Sequence, residues 1–344
     1  MTALGRRGAT ARLALVVILL ASATLRGAPF TSGQEGPALA QSRQPAGVTS
    51  SPQGLETIQV RPNVYAIFGA GGNVVVHVGA DGLVLVDGGS ADMADKVLQA
   101  VKAISPRPIR LIVNTSADAD HVGGNGVLGD AGVSLSTDPF SQESHATVLA
   151  HENVLLKMSA PTGSASPFPT NAWPNDTFTS RFRSLYVNDD ALQVIRQTGA
   201  HSDADAMALF RNADVIVTGD VIDLRQFPVI DPARGGSIQG ELEALNRLLT
   251  EFVVPNIPQV LKHGGTVVIP GHGYVSDYAE VVDYRDTVTV VTDIIQDMVT
   301  KGMTLQQVKT ANPTKGYRAR FGSDTGPWTT DKFVEAVYNG LKKK

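Results

Sequence analysis

The chain has 344 residues, 42% hydrophobic and 18% charged, enough for one large core or two smaller ones. A formal net charge of -4, with a basic run only at Lys342–Lys344, argues against a footprint for nucleic acid or anionic lipid. Cysteine is absent, which excludes disulfides, thiolate catalysis and cysteine-ligated metals together.

Residues 1–40 differ in kind from the rest. Arg6, Arg7 and Arg12 precede an apolar run, Leu13 to Ala23, that is short for a stable membrane span. Small residues at Ala21-Ser22-Ala23, and again at Ala38-Leu39-Ala40, offer two cleavage sites. This pattern predicts a secretory signal peptide and an exported protein; an uncleaved N-terminal anchor is the alternative, and Arg6-Arg7 raises the twin-arginine route. The segment carries four arginines and one glutamate, so its removal takes the net charge from -4 to -7. Residues 41–56, rich in Pro, Gly, Ser and Gln, read as a flexible linker.

Order begins near Thr57. Three apolar runs, Val64–Phe68, Val74–Val78 and Leu83–Val86, predict strands. The last two are joined at Asp81-Gly82, a hairpin signal. The glycines at Gly69–Gly72 precede no helix and read as a turn rather than a phosphate cradle. The third strand ends in Asp87-Gly88-Gly89. His77, inside a strand pattern, reads as a partly buried structural residue.

Ala91–Ile104 predicts a helix, stopped by Pro106 and Pro108. Ile109–Val113 is the next strand, and it runs into Asn114-Thr115-Ser116-Ala117-Asp118-Ala119-Asp120-His121-Val122-Gly123-Gly124-Asn125. Ionisable side chains at the end of a buried strand are costly unless a metal ion, an arginine or backbone amides pair with them. A short helix follows around Val127, and a long one is predicted over Gln142–Met158, with His145 and His151 as surface or capping residues. Ser159–Thr177 is an excursion without periodicity whose aromatics, Phe168 and Trp173, either line a pocket or form a satellite core.

Strands return at Leu192–Thr198, Ala206–Phe210 and Val215–Val217, the first two separated by a loop carrying His201 and the last ending in Thr218-Gly219-Asp220. Glu241–Phe252 predicts an amphipathic helix. Thr266–Ile269 predicts a strand ending in Pro270-Gly271-His272-Gly273. Helical patterns follow at Tyr278–Val299, Thr304–Thr310 and Thr330–Leu341, with Trp328 as a possible anchor. Asp87, Asp118, Asp120, His121, His201, Asp220 and His272 thus all follow buried strands, and such residues can converge on one edge of a sheet system.

This order of motifs resembles the metallo-β-lactamase-fold hydrolases over residues 57–275. The family's ligand loop, H-x-H-x-D-H before Gly-Gly, matches Ser116-Ala117-Asp118-Ala119-Asp120-His121. His201 matches the next ligand, Asp220 the bridging aspartate, His272 the last histidine, and Asp87 a supporting carboxylate. The resemblance implies an α/β (α+β) fold, an αββα sandwich, with residues 276–344 as a helical extension packed on the same domain. It also implies a metal site at Asp120, His121, Asp220 and His272. The first two family histidines are Ser116 and Asp118 here, so the other site keeps only His201, Asp118 and the shared Asp220. One Zn²⁺ is implied; the altered site should bind a second weakly, prefer Mn²⁺ or Fe²⁺, or stay empty. Ser116 is a poor ligand and is expected to hydrogen-bond Asp118 or a water.

The function expected from the resemblance is a secreted hydrolase whose metal-activated water attacks an ester, thioester, lactone or lactam-type bond of a small molecule, with Asp120 or Asp118 as proton acceptor. A dinuclear enzyme with Asp118 as ligand and a non-catalytic binding protein on a degenerate hydrolase fold are the other readings.

Overall fold

Several of the predicted strands are apolar on both faces, and the layering explains why. The computed structural model describes residues 49–50, 54–136, 144–159, 165–259 and 264–342; the signal-peptide reading of residues 1–40 and most of the linker lie outside them. One sheet runs in chain order through β1 (Thr49–Ser50), β2 (Glu56–Arg61), β3 (Val64–Phe68), β4 (Val74–Gly79), β5 (Gly82–Val86), β6 (Ile109–Val113), β7 (Thr147–His151) and β8 (Asp176–Phe178). Its neighbours are antiparallel up to β5 and parallel from there on. The second sheet contains β9 (Phe182–Val187), β10 (Asp190–Arg196), β11 (Ala206–Phe210), β12 (Val215–Asp223) and β13 (Val267–His272), in the order β13-β12-β11-β10-β9. Only β12 and β13 pair in parallel.

Alternate residues of each central strand feed different layers, as the period-two geometry of a strand requires. Val75, Val84, Val86, Leu111 and Val113 point between the sheets, where they meet Val194, Ala206, Ala208 and Phe210 of the second. Val74, Val76, Leu83, Leu85 and Ile112 point outward against Val97 and Val101 of α1 (Ala94–Ile104). Strands covered on both faces have no polar face, so their sequences are unbroken apolar runs. His77 lies in this interior, fully buried, with Nε2 2.7 Å from Asn63 Nδ2; burial outweighs the charge of Asp190 and lowers its pKa.

Short helices α2 (Ala119–Val122) and α3 (Asn125–Asp130) follow β6, and α4 (Glu152–Met158) follows β7. The outer face of the second sheet is covered by α5 (Ile238–Arg247) and α6 (Tyr278–Thr300), followed by α7 (Leu305–Ala311), α8 (Arg318–Phe321) and α9 (Thr330–Lys342). The result is an αββα sandwich. Among the described residues no helix is long and apolar enough to cross a membrane.

The long helix expected over Gln142–Met158 is not present: residues 144–146 are irregular, Thr147–His151 is strand β7, and only Glu152–Met158 is helical, while residues 142 and 143 lie outside the described residues. Five apolar-biased residues suit either state, and pairing with β6 and β8 decides for the strand. His151 is the N-cap of α4, its Nδ1 accepting the Asn153 N–H at 3.2 Å. Strands β2, β8 and β9 carried no clear sequence signal. The helix expected at Glu241 begins earlier, at Ile238, where Ser237 Oγ accepts the Gly240 N–H, and its last turn widens into a π-helical segment, Leu248–Phe252.

An aromatic cluster ties the C-terminal helices to the loop after β12. Phe227 of that loop stacks on Phe333 of α9 with centroids 4.7 Å apart, and also meets Phe321, against which Tyr284 of α6 packs. The Phe227 N–H donates to the Phe321 carbonyl at 3.1 Å. Trp328 packs at the edge of the same layer. Truncating Phe333, which is fully buried, should cost about 3–5 kcal/mol. Chemical denaturation of Phe333→Ala should show that loss in one cooperative transition; a loss within the error of the measurement would mean the C-terminal layer is not part of the same cooperative unit.

Candidate metal centre

Each strand that carries a motif delivers it to one edge of the sandwich. Asp87 follows β5 in a left-handed conformation (φ 63°), which a short polar residue tolerates. The loop from Asn114 follows β6 and supplies Asp118, Asp120 and His121. His201 sits in the β10–β11 loop. Asp220 lies within β12 beside Gly219 (φ 53°), where the pairing with β13 shifts register. His272 ends β13, and Gly271 lets the two strands approach: a Cβ there would lie 2.6 Å from the Gly219 carbonyl carbon. The Gly69–Gly72 turn packs on the ligand loop, the Gly72 N–H donating to the Asp120 carbonyl at 3.0 Å. Phe168 and Trp173 form a satellite core with Ala117, Val122 and Met158 behind that loop.

Asp120, His121 and His272 bring ligand atoms to within 4.8 Å of one another. Asp220 joins them, its Oδ1 3.0 Å from His121 Nε2 and 3.4 Å from His272 Nε2; His272 Nε2 is also 3.3 Å from Asp120 Oδ2. His121 is aimed from behind. Its Nδ1 lies 2.8 Å from Asp87 Oδ2, and Asp87 is itself fixed by the Thr115 N–H at 2.8 Å and the Thr115 hydroxyl at 2.6 Å. Such a carboxylate brace fixes the imidazole so that Nε2 faces the site.

The electrostatics show what the cluster lacks. Burial alone would lower His121 and raise Asp220, but each outweighs this for the other: the charges of Asp220 and Asp87 hold His121 well above its usual value, and His121 leads the groups that hold Asp220 well below its own. Asp220 Oδ2 is buried with no hydrogen-bond partner among the described residues. A divalent cation would give the bare Asp220 oxygen a partner and take the place of the proton that its carboxylate neighbours favour on His121. Two imidazole nitrogens and two carboxylates suit Zn²⁺ or a harder divalent ion. The residues Asp120, His121, Asp220 and His272 fit a metal.

Asp118, His201 and Asp220 form the second group of potential ligands, also within 4.8 Å. His201 Nδ1 lies 2.9 Å from the Val229 carbonyl, which turns Nε2 to Asp118 Oδ2 at 3.1 Å. Burial would lower His201, but the hydrogen bond to Asp118 and the charges of Asp220, Asp205 and Asp118 push it up to about 10. Asp118 is opposed by its own burial, yet hydrogen bonds from His201 and Arg234 hold it well below the carboxylate range. Ser116 is fully buried and accepts the Asp118 backbone N–H at 3.2 Å, so it shapes the loop and is not among the grouped ligands.

Two further residues shape the site. Arg234, in an ordinary Asp-Pro-Ala-Arg-Gly-Gly turn, places its guanidinium on Asp118. Asp205 accepts the Ser202 N–H at 2.8 Å and its hydroxyl at 2.7 Å, and so sets the shape of the His201 loop; burial raises Asp205 to about 6. The Ala-His-Ser-Asp-Ala-Asp run containing it was visible in the sequence.

The family model of the metallo-beta-lactamase superfamily matches residues 68–256, more than half of the chain. The chain belongs to this superfamily. Among solved structures it is similar to the sec-alkylsulfatase Pisa1 from Pseudomonas sp., with TM-score 0.58 and 16% identity over 82% of this chain and 49% of that one. It is also similar to a metallo-beta-lactamase from Pontibacter korlensis, with TM-score 0.52 and 16% identity over 68% of this chain and 99% of that one. The chain spans about half the length of the alkylsulfatase structures it matches. No curated protein matches the sequence. At these identities the likeness shows the fold.

The Asp87 brace gives a direct test. Asp87→Asn keeps the shape and the tolerance for a left-handed backbone but removes the charge behind His121. Metal affinity, measured by competition with a chromophoric chelator, should fall by about 10–100-fold; unchanged affinity would mean that His121 is not a ligand.

Proposed function

We propose that this chain is an exported, metal-dependent hydrolase that holds one divalent ion, Zn²⁺ being the first candidate, through Asp120, His121, Asp220 and His272. The observation that supports the reading is the convergence of these four side chains, Asp120 and His121 from α2 after β6 of one sheet and Asp220 and His272 from β12 and β13 of the other, with His121 braced by Asp87. The signal-like residues 1–40 support export, and the acidic body supports a small-molecule rather than a polyanionic substrate.

When bound, the ion supplies Lewis acidity to a water and to the oxygen of an ester, thioester, lactone or lactam-type bond. Asp120 is the most exposed of the four ligands, its side chain 38% accessible against 0–10% for the others, so substrate and water approach past it. It is placed to accept the proton of the attacking water and return it to the leaving group, so that one water is consumed as the scissile bond breaks. Asp118, the other proton acceptor expected from the sequence, has its carboxylate engaged by the Arg234 guanidinium and the His201 imidazole, which leaves Asp120 the freer carboxylate.

The altered ligand loop favours a non-catalytic binding protein as the second reading. Both readings meet in one experiment. Asp120→Ala, assayed on a panel of chromogenic esters, thioesters, lactones and lactams, should lose most of its bound metal. Its turnover should fall by about 100-fold or more. Full activity in the variant would sink the metal mechanism, and a fully metal-loaded wild type inert on the whole panel would favour the binding protein.

A further inference from the structure

Three features compete for a role beyond the site above. Glu241 is fully buried with both carboxylate oxygens unpaired among the described residues, but nothing around it points to a ligand. Arg225, half-exposed, is engaged by Asp223 at 3.0 Å through both Nε and Nη2. Arg234 is different, because its guanidinium enters the Asp118, His201 and Asp220 group of potential ligands.

Its guanidinium is held in position from three sides. Nη1 and Nη2 fork onto the Asp118 carboxylate, the latter 3.0 Å from Oδ2. Nη2 is also 3.3 Å from His201 Nε2. Nε donates to Asp231 Oδ2 at 2.6 Å. The turn that carries it is tied to the His201 loop by backbone bonds: the Asp231 N–H donates to the His201 carbonyl at 2.9 Å and the Asp203 N–H to the Arg234 carbonyl at 2.9 Å. Asp231 Oδ1 caps the turn, and Gly235, left-handed at φ 86°, closes it against Asp203. Arg234 is therefore delivered to the site by the fold rather than lying across it by chance.

The chemistry of that placement is decisive. A metal between Asp118 and His201 would need the Asp118 oxygens that the guanidinium engages and the His201 Nε2, which already faces the same carboxylate at 3.1 Å. Arginine stays protonated in proteins, and its planar fork matches a carboxylate but not an imidazole. A second cation at this point would meet a fixed positive charge. This also gives the aspartate at position 118 a physical meaning: where the family has a histidine for a metal, this chain has a carboxylate for an arginine.

We propose that Arg234 is a built-in cation that fills the first metal position of the fold, so that the chain binds a single ion and Asp118–Arg234 replaces the second. The inference rests on the metal-site reading of Proposed function and deepens it by assigning the altered half of the centre.

The test is a Co²⁺ titration of chelator-stripped protein, followed by visible absorption and elemental analysis, with circular dichroism to confirm folding. The wild type should saturate at one Co²⁺ per chain, with its absorption band lost in His272→Ala and retained in His201→Ala. Arg234→Ala, which releases Asp118 and His201, should take up a second equivalent. Wild type binding two ions, the second lost in His201→Ala, would overturn this inference while leaving the hydrolase reading intact. A folded Arg234→Ala that stays at one ion would overturn it as well. If that variant does not fold, the His201→Ala result on the wild-type background decides: unchanged Co²⁺ affinity supports the proposal, and a loss of about 10-fold or more contradicts it. A wild type that binds no Co²⁺ at all would remove the metal reading and this inference together.

Discussion

Asp220 is where side chains carried by the two sheets meet in the candidate metal centre. It comes from β12 and shares Oδ1 between His121, on the short helix after β6, and His272 of β13, while its Oδ2 is buried without a hydrogen-bond partner among the described residues, a costly arrangement. Everything around it serves that arrangement. Gly219 lets β12 shift register, Gly271 lets β13 approach, and Asp87 turns His121 into place. The double sheet fixes these side chains in one cluster.

The site is asymmetric for a reason that runs through the chain. One half offers imidazoles with their Nε2 atoms facing inward and suits an ion. The other half offers a carboxylate at Asp118, already satisfied by Arg234, and an imidazole at His201 facing the same pair. The loop bearing Arg234 begins beside Phe227, which the C-terminal helices clamp through Phe321 and Phe333. The added helical layer and the altered metal half thus meet in one connection, the segment between β12 and α5.

Much of this was legible in the sequence because the signals were local. Strands covered on both faces show as unbroken apolar runs, and Asp87, Asp220 and His272 announce themselves by the glycines that strand ends require. The ligand loop was readable for the same reason. Thr147–His151 is not legible in the same way, because its apolar run suits helix or strand alike and only its parallel partners decide. Arg234 was invisible. It lies 116 residues from Asp118, in a turn with no motif, and only the folded chain brings the two together. Ser116 and Asp118 looked like losses from a ligand set; with Arg234 in place, Asp118 is one half of a new pair.

The most direct measurement is an anomalous difference map, at the zinc absorption edge, from crystals grown with excess Zn²⁺. A single peak among Asp120, His121, Asp220 and His272, with the Arg234 guanidinium still on Asp118, is the predicted result. A second peak between Asp118 and His201, with Arg234 displaced into solvent, would contradict the account.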